Sequence, residues 1–485
     1  MSLGREKLMY MFDFNNDGLL DMFAAQDRRV DNLEKPGILL MNNGNRTWEE
    51  DGSLSEFAST MILTDADGDG VANEFMLIRD FCFPKRADPE SDAEFGPFNE
   101  AIKEFCSTRP VGTLAIYKYD PALQKMQEIS EKYHNVDSAI SSQPECCPHG
   151  LFTGQNHCSA VSVASADLDN DQRPDYAILY SQQIDFYFSS DREKGTLPIG
   201  NANIGLTLAL PPSCAWGQSL RFVDLNNSGK LDLIVTCSNV DPLFVYTQGL
   251  SKDSWSLDNG CNGFGSLGDI TYAMFEWKDS DITDACDNAN EWKKLKKACN
   301  NHQTWSVKPT VSSMGLTLAD FNNDGLPDIA ISTSFGYQRF FLNKSVSSND
   351  YITFRLMGDG TEVNKYGIGA TLILVYTDGN KYNRQFKEIS SYQHSTDKRG
   401  FIDEKITFGL GKNFAPKKLI VMWPNKRQQV VKVNKFRFSH SMEPIMIHYP
   451  AKNFHYLGIQ SQKLTALGQN CACLQVHQET SGISL

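Results

Sequence analysis

The sequence predicts an all-β protein, a multi-bladed β-propeller of five to seven blades followed by a small antiparallel β domain, and three observations lead there. An acidic, polar segment recurs five times at spacings near one or two multiples of about 50 residues, the length of one four-stranded blade. Each copy is flanked by short runs of aliphatic and β-branched residues, as two strands joined by a turn require. From residue 350 to 450 the chain alternates apolar and polar residues between glycine turns, the pattern of a second, smaller β unit.

The five segments are DFNNDGLLD from Asp13, DADGDGVAN from Asp65, DLDNDQRPD from Asp167, DLNNSGKLD from Asp224 and DFNNDGLPD from Asp320, starting 52, 102, 57 and 96 residues apart. The two long gaps hold stretches rich in Cys, Pro, Asn and charge, clearest at 82–110 and 251–305, which are expected to be insertions between blades. The expected organisation is a propeller over 1–345, a β domain over 350–450 and a tail over 451–485. Helical periodicity is weak except around Trp292.

Acidic residues alternating along a tight turn supply hard oxygen ligands, and calcium takes six to eight of them at about 2.3–2.6 Å. The first, third, fifth and ninth side chains and the seventh carbonyl are the candidate ligands. They are Asp13, Asn15, Asp17, Leu19 and Asp21 in the first loop, and Asp65, Asp67, Asp69, Val71 and Asn73 in the second. The third has Asp167, Asp169, Asp171, Arg173 and Asp175; the fourth Asp224, Asn226, Ser228, Lys230 and Asp232; the fifth Asp320, Asn322, Asp324, Leu326 and Asp328. Gathering such carboxylates without a cation is costly through mutual repulsion. Magnesium fits less well, since it demands a rigid octahedron and keeps its waters. An EF-hand needs a bidentate Glu at the twelfth position, where this chain has Ala24, Met76, Ile178, Val235 and Ile331. Ser228 at a fifth position and Gln172 in place of a turn glycine mark the fourth and third loops as weaker. The competing account is an acidic turn bonded to its own backbone.

These segments resemble the FG-GAP/VCBS repeat of extracellular propellers, over roughly residues 7–345, and the resemblance implies calcium between blade strands. NKYGIGATLILVYTDG from Asn364, KITFGLGKN from Lys405 and LIVMWPNKR from Leu419 resemble the ASPIC/UnbV domain. Propeller followed by ASPIC/UnbV domain is similar to the cartilage acidic protein 1 family. The chain departs from that pattern at Thr407, where the family has His, and at Lys426, where it has Gly. Trp423 is read as core rather than as a ligand platform.

The formal charge of −13 and pI near 5.2 disfavour nucleic acid and anionic membrane surfaces as partners. No stretch approaches the ~18 apolar residues of a membrane-spanning helix. Twelve cysteines, most of them in loop-like stretches and without zinc-type CxxC pairing, point to disulfides and an oxidising compartment. Cys82 with Cys106, Cys146, Cys147, Cys471 and Cys473 are among them, and His149 and His157 flank one cluster. The sequons at Asn45 and Asn343 fit secretion. The opening residues lack an apolar leader core, so the expectation is an extracellular or cell-surface protein whose leader is missing from this sequence; an intracellular protein is the alternative. The function expected is a calcium-binding adhesion or recognition scaffold for an extracellular protein or glycan. The rival is a propeller-based carbohydrate-active enzyme such as a polysaccharide lyase, for which no GxSxG, HExxH or paired-His motif is present.

Overall fold

The computed structural model describes residues 6–26, 37–56, 58–79, 114–130, 271–272, 313–333, 338–343, 348–389, 405–433 and 444–450, together with 160–257 apart from 181, 192–196, 200–203, 213, 215–216, 238–242 and 250. The insertion at 82–110, most of 258–312, the tail beyond Pro450, His149, His157, Trp292 and every cysteine except Cys214 and Cys237 lie outside the described residues.

The first sheet is β1 (Glu6–Phe12), β2 (Asp21–Gln26), β3 (Ile38–Asn42) and β4 (Trp48–Asp51), and the second is β5 (Ala58–Thr64), β6 (Glu74–Arg79), β7 (Leu114–Asp120) and β8 (Lys125–Glu128). β9 (Ser162–Ala166), β10 (Asp175–Leu179), β11 (Gln183–Tyr187) and β12 (Leu206–Ala209) form the third; β13 (Gly217–Val223), β14 (Asp232–Cys237), β15 (Leu243–Gln248) and β16 (Trp255–Leu257) form the fourth. Each is a four-stranded antiparallel meander in chain order. The fifth uses β17 (Thr271–Tyr272), β18 (Ser313–Ala319), β19 (Asp328–Thr333) and β20 (Gln338–Phe341) in the order β17-β20-β19-β18, so its outer strand precedes the other three in the chain. Five such sheets are present among the described residues.

Alternation in the strands explains how the sheets stack. Side chains of period two leave a strand on opposite faces. On β10, Tyr176 and Ile178 enter the cluster shared with the second sheet, while Ala177 and Leu179 enter the cluster shared with the fourth. On β14, Leu233 and Val235 face the third sheet and Ile234 faces the fifth. Between the first two sheets, Tyr10, Phe14 and Phe23 each meet Phe75 edge-on at 5.1–5.6 Å. A strand with both faces buried reads as a continuous apolar run rather than as an alternation. Successive contacts of β1 with β5, β5 with β9, β9 with β13 and β13 with β18 line the first strands up along one side. The arrangement is propeller-like and all-β; the helical content among the described residues is 3₁₀ only, at Ser130 and at Ser189–Asp191.

Two further sheets follow. β21 (Asp350–Met357), β24 (Ile406–Gly411) and β27 (Ile445–His448) make one, and β22 (Thr371–Thr377), β23 (Tyr382–Glu388), β25 (Ala415–Met422) and β26 (Gln428–Lys432) make the other. They enclose Phe354, Leu372, Leu374, Phe408, Leu419 and Trp423. Trp423 is 0% exposed and donates its indole N–H to Gln429 Oε1 at 2.9 Å, so it belongs to the core. The expected all-antiparallel pairing has one departure: β27 runs parallel to β21. Lys426 takes φ +66° in the turn after Trp423 and donates its N–H to the Trp423 carbonyl at 2.8 Å, which is why glycine suits that position.

Candidate metal centre

All five acidic segments occupy the same place, the turn between one end strand of a sheet and its neighbour: β1–β2, β5–β6, β9–β10, β13–β14 and β18–β19. Their hydrogen bonds repeat almost bond for bond. The first-position carboxylate accepts the N–H groups of the fifth and sixth residues: Asp17 and Gly18 on Asp13 at 2.9 Å each, and Asp324 and Gly325 on Asp320 at 2.9 and 3.0 Å. The fifth-position group accepts the seventh N–H, as Asp17 does from Leu19 and Asp171 from Arg173, both at 2.8 Å. The carboxylate opening the second strand turns back to the second residue, as Asp21 does to Phe14 N–H at 2.8 Å. Its other oxygen reaches the end of the next strand or the second residue beyond it: Asn42 N–H on Asp21 at 2.8 Å, Ser189 N–H on Asp175 and Asn343 N–H on Asp328 at 2.7 Å.

This wiring needs left-handed backbone at the fourth and sixth positions, and asparagine or glycine provides it in nearly every case. The exception is Gln172, with φ +69°, which still donates its N–H to Asp167 Oδ2 at 3.0 Å. The third loop is therefore fully formed despite lacking the turn glycine. The fourth loop makes the same turn around Ser228, whose Oγ accepts from Lys230 N–H at 3.3 Å. The twelfth-position residues Ala24, Met76, Ile178, Val235 and Ile331 are buried in strands, where no EF-hand ligand could act.

The second loop has a different register. Its closing acid is Glu74, which accepts Ala66 N–H at 2.9 Å and opens β6 as Asp21, Asp175, Asp232 and Asp328 open their strands. The expectation that Asn73 fills this role is corrected: the loop is one residue longer, and the longer glutamate chain spans the difference. The acid immediately before the apolar run FMLI was the available signal.

Three oxygens, one each from Asp167, Asp169 and Asp175, lie within 4.8 Å of one another, as do oxygens of Asp65, Asp67 and Glu74. Burial pushes Asp13 and Asp21 up to about 7, Asp167 to about 7 and Asp175 to about 8, with neighbouring carboxylates adding to the effect. Asp224, Asp320 and Asp328 are raised for the same first reason. Such groups are costly as anions and gain from a cation. Of the two convergent sets, that of the third loop fits a hard divalent ion held by oxygen. That of the second loop does not fit in the same way, because Lys118 contacts Asp67, Asp69 and Glu74. Burial disfavours that ammonium, but Glu74 and Asp67 outweigh it and hold Lys118 above the ordinary lysine range. Glu74 itself is pushed up to about 7 by burial.

The segment from β21 onward packs on the tips of these loops. Gly18 lies against Thr361, and Ala72 N–H donates to the Gly369 carbonyl at 3.1 Å. Glu388 accepts Asp65 N–H at 2.6 Å and Ser165 Oγ–H at 2.9 Å, joining the second and third sheets. Arg384 donates to Gln172 Oε1 at 3.0 Å, and Gly411 N–H to the Asn227 carbonyl at 2.9 Å. Gly325 in the fifth loop sits under Tyr351. Thr407, at the position of the family's histidine, shares a 3.0 Å hydrogen bond with Thr353 and accepts Lys387 Nζ at 2.7 Å through its carbonyl. A cavity of about 400 Å³ remains between Asp65, Asp171 and Gln172 on the loops and Phe386, Met422 and Gln428 above them.

Cys214 and Cys237 form a disulfide with both residues buried. Asn45 is exposed on its turn. Asn343 is 1% exposed, and its amide donates to the carbonyls of Leu225 and Pro327 at 2.7 and 3.1 Å, so the expectation of a glycan there does not hold for the folded protein. Among the described residues no helix is long and apolar enough to cross a membrane.

Residues 360–443 match the ASPIC and UnbV family. No curated protein matches the chain. Among solved structures, the chain is similar to an Agrocybe aegerita lectin that recognises non-reducing terminal N-acetylglucosamine, at 13% identity and a TM-score of 0.32, over 70% of this chain and 67% of the lectin. It is similar to the Vibrio cholerae biofilm matrix protein Bap1 at 10% identity and 0.26, over 90% and 60%. A fructofuranosidase from Schwanniomyces occidentalis is similar at 8% identity and 0.28, over 89% and 91%. Likenesses of this size carry no conclusion about ligand or reaction.

Proposed function

We propose that this chain is a calcium-stabilised recognition scaffold of the extracellular type, in which a propeller over residues 1–345 holds its ions at one edge and the β domain over 350–450 rests on them. The observation that carries the reading is the third loop. Oxygens of Asp167, Asp169 and Asp175 converge within 4.8 Å, and burial raises Asp167 and Asp175 far above ordinary aspartate. Such a set gains most from a divalent cation. Asp167, Asp169, Asp171, the Arg173 carbonyl and Asp175 would hold it there. The corresponding ligands are Asp13, Asn15, Asp17, Leu19 and Asp21 in the first loop, Asp224, Asn226, Ser228, Lys230 and Asp232 in the fourth, and Asp320, Asn322, Asp324, Leu326 and Asp328 in the fifth. When bound, the ion neutralises the buried acids and fixes the turn; it is assigned no chemical step.

The buried Cys214–Cys237 disulfide supports an oxidising compartment, and the partner proposed is an extracellular protein or glycan. Titration calorimetry with calcium and magnesium, combined with metal analysis of the purified chain, tests the metal. Calcium binding that excess magnesium does not displace is expected; no heat and no bound calcium would end the proposal. A glycan and ectodomain binding panel, run with and without chelator, tests the scaffold role through calcium-dependent capture.

A further inference from the structure

The second loop differs from the other four in having one cation against three of its carboxylates; in the third loop Arg173 reaches Asp171 alone, at 2.7 Å. From β7, Lys118 Nζ lies 2.6 Å from Asp67 Oδ2 and 3.5 Å from Asp69 Oδ2, and it contacts Glu74 Oε1. These are the third-position acid, the fifth-position acid and the acid that closes the loop. Lys426 reaches Asp69 at 2.8 Å from the β domain. At other loops the nearby lysines stand farther from the carboxylates: Lys252 is 3.7 Å from Asp169 and Lys405 is 3.9 Å from Asp320.

We propose that Lys118 is the resident cation of the second loop, so that the native chain holds this sheet with its own ammonium and takes no calcium there. An ion at ordinary calcium–oxygen distance from Asp67 and Asp69 would lie about 4 Å from an ammonium bound to the same oxygens, where two cations repel strongly at low dielectric. The amine also occupies acceptor sites the ion would need. Because it is covalently attached, its occupancy does not fall when free calcium falls.

Removing the amine should leave a usable site. Asp65 is 6% exposed, and its Oδ1 has no hydrogen-bond partner, nor has Asn73 Oδ1. Together with the oxygens of Asp67 and Glu74, they offer the acceptors an entering ion requires. Asn73 has a role here, distinct from the strand-opening role taken by Glu74.

The inference rests on the reading that the other loops bind calcium, and the test separates the two. Equilibrium dialysis against calcium, followed by metal analysis, counts ions per full-length chain for the native protein, K118M, K118Q and K118R. One additional calcium in K118M or K118Q, and none in K118R, is the expected result. Equal counts in the native protein and both neutral variants, with melting curves confirming that they fold, overturn the inference while leaving calcium at the other loops intact. A native chain that binds none defeats the wider reading; an added ion in the neutral variants would still uphold the role of Lys118, and none would overturn it.

Discussion

Removing divalent cations should reverse the pH dependence of stability. Asp13 is fully buried and held near 7 against an ordinary 3.8. In the metal-free protein the folded state therefore keeps a proton over a range in which the unfolded chain has lost it. Stability from this group is complete below about pH 4 and is lost as pH rises through 7, because the folded state binds more protons in between. The difference corresponds to on the order of 4 kcal/mol for one such carboxyl. Asp21, also near 7, titrates with it, so the pair is not simply additive. At roughly 1–2 °C per kcal/mol for a folded unit of this size, extrapolated from smaller domains, the melting temperature in excess chelator should fall by about 5 °C or more between pH 5 and 8. With saturating calcium the same acids are held ionised, their pKa values drop below the unfolded ones, and stability is instead lost as pH falls. Calorimetric melting at several pH values, with and without chelator, reads both slopes, and Asp21→Asn should flatten the metal-free one. Parallel curves in the two conditions would refute the reasoning.

Within the same assay, Asp324→Ala should lower the calcium-bound melting temperature more than Ser228→Ala, since an anionic ligand is lost in one case and a neutral one in the other; equal losses in calcium would count against the ligand assignment. Gly325→Ala should destabilise by about 2 kcal/mol or more in urea unfolding, because its backbone has φ +87° and the new Cβ would meet Tyr351 at 2.1 Å. Replacing both Cys214 and Cys237 by alanine should cost about 3 kcal/mol, as expected for a loop of this size, with a sequence separation of 23. Alkylation before denaturation should leave both native cysteines unlabelled.

Much of the scaffold was legible because it is local. A turn of Asp, Asn and Gly between two apolar runs names its own strands, and the apolar twelfth positions exclude a helix-flanked loop from the sequence alone. What escaped depends on distant partners. Lys118 reaches Asp67 across 51 residues and Glu388 reaches Asp65 across 323, and no periodicity signals either contact. Glu74 was missed because fixed nine-residue spacing points to Asn73, whereas the hydrogen-bond pattern follows the strand boundary. Gln172 marks the third loop as weaker because glycine is the usual left-handed residue; the turn's hydrogen bonds hold glutamine in the same backbone conformation. The Asn343 sequon satisfied its three-residue rule without revealing that the amide is spent on two carbonyls.

Because the segment from β21 onward meets all five turns at once, its attachment is a multivalent one within a single chain. Each grip is small, a hydrogen bond or a glycine under a side chain, but the others hold its partners at high effective concentration while any one is open. Loss of a single turn should therefore be re-formed faster than the next is lost. Sequential damage would change little until the remaining grips could no longer keep the pieces in register, and release would then be abrupt.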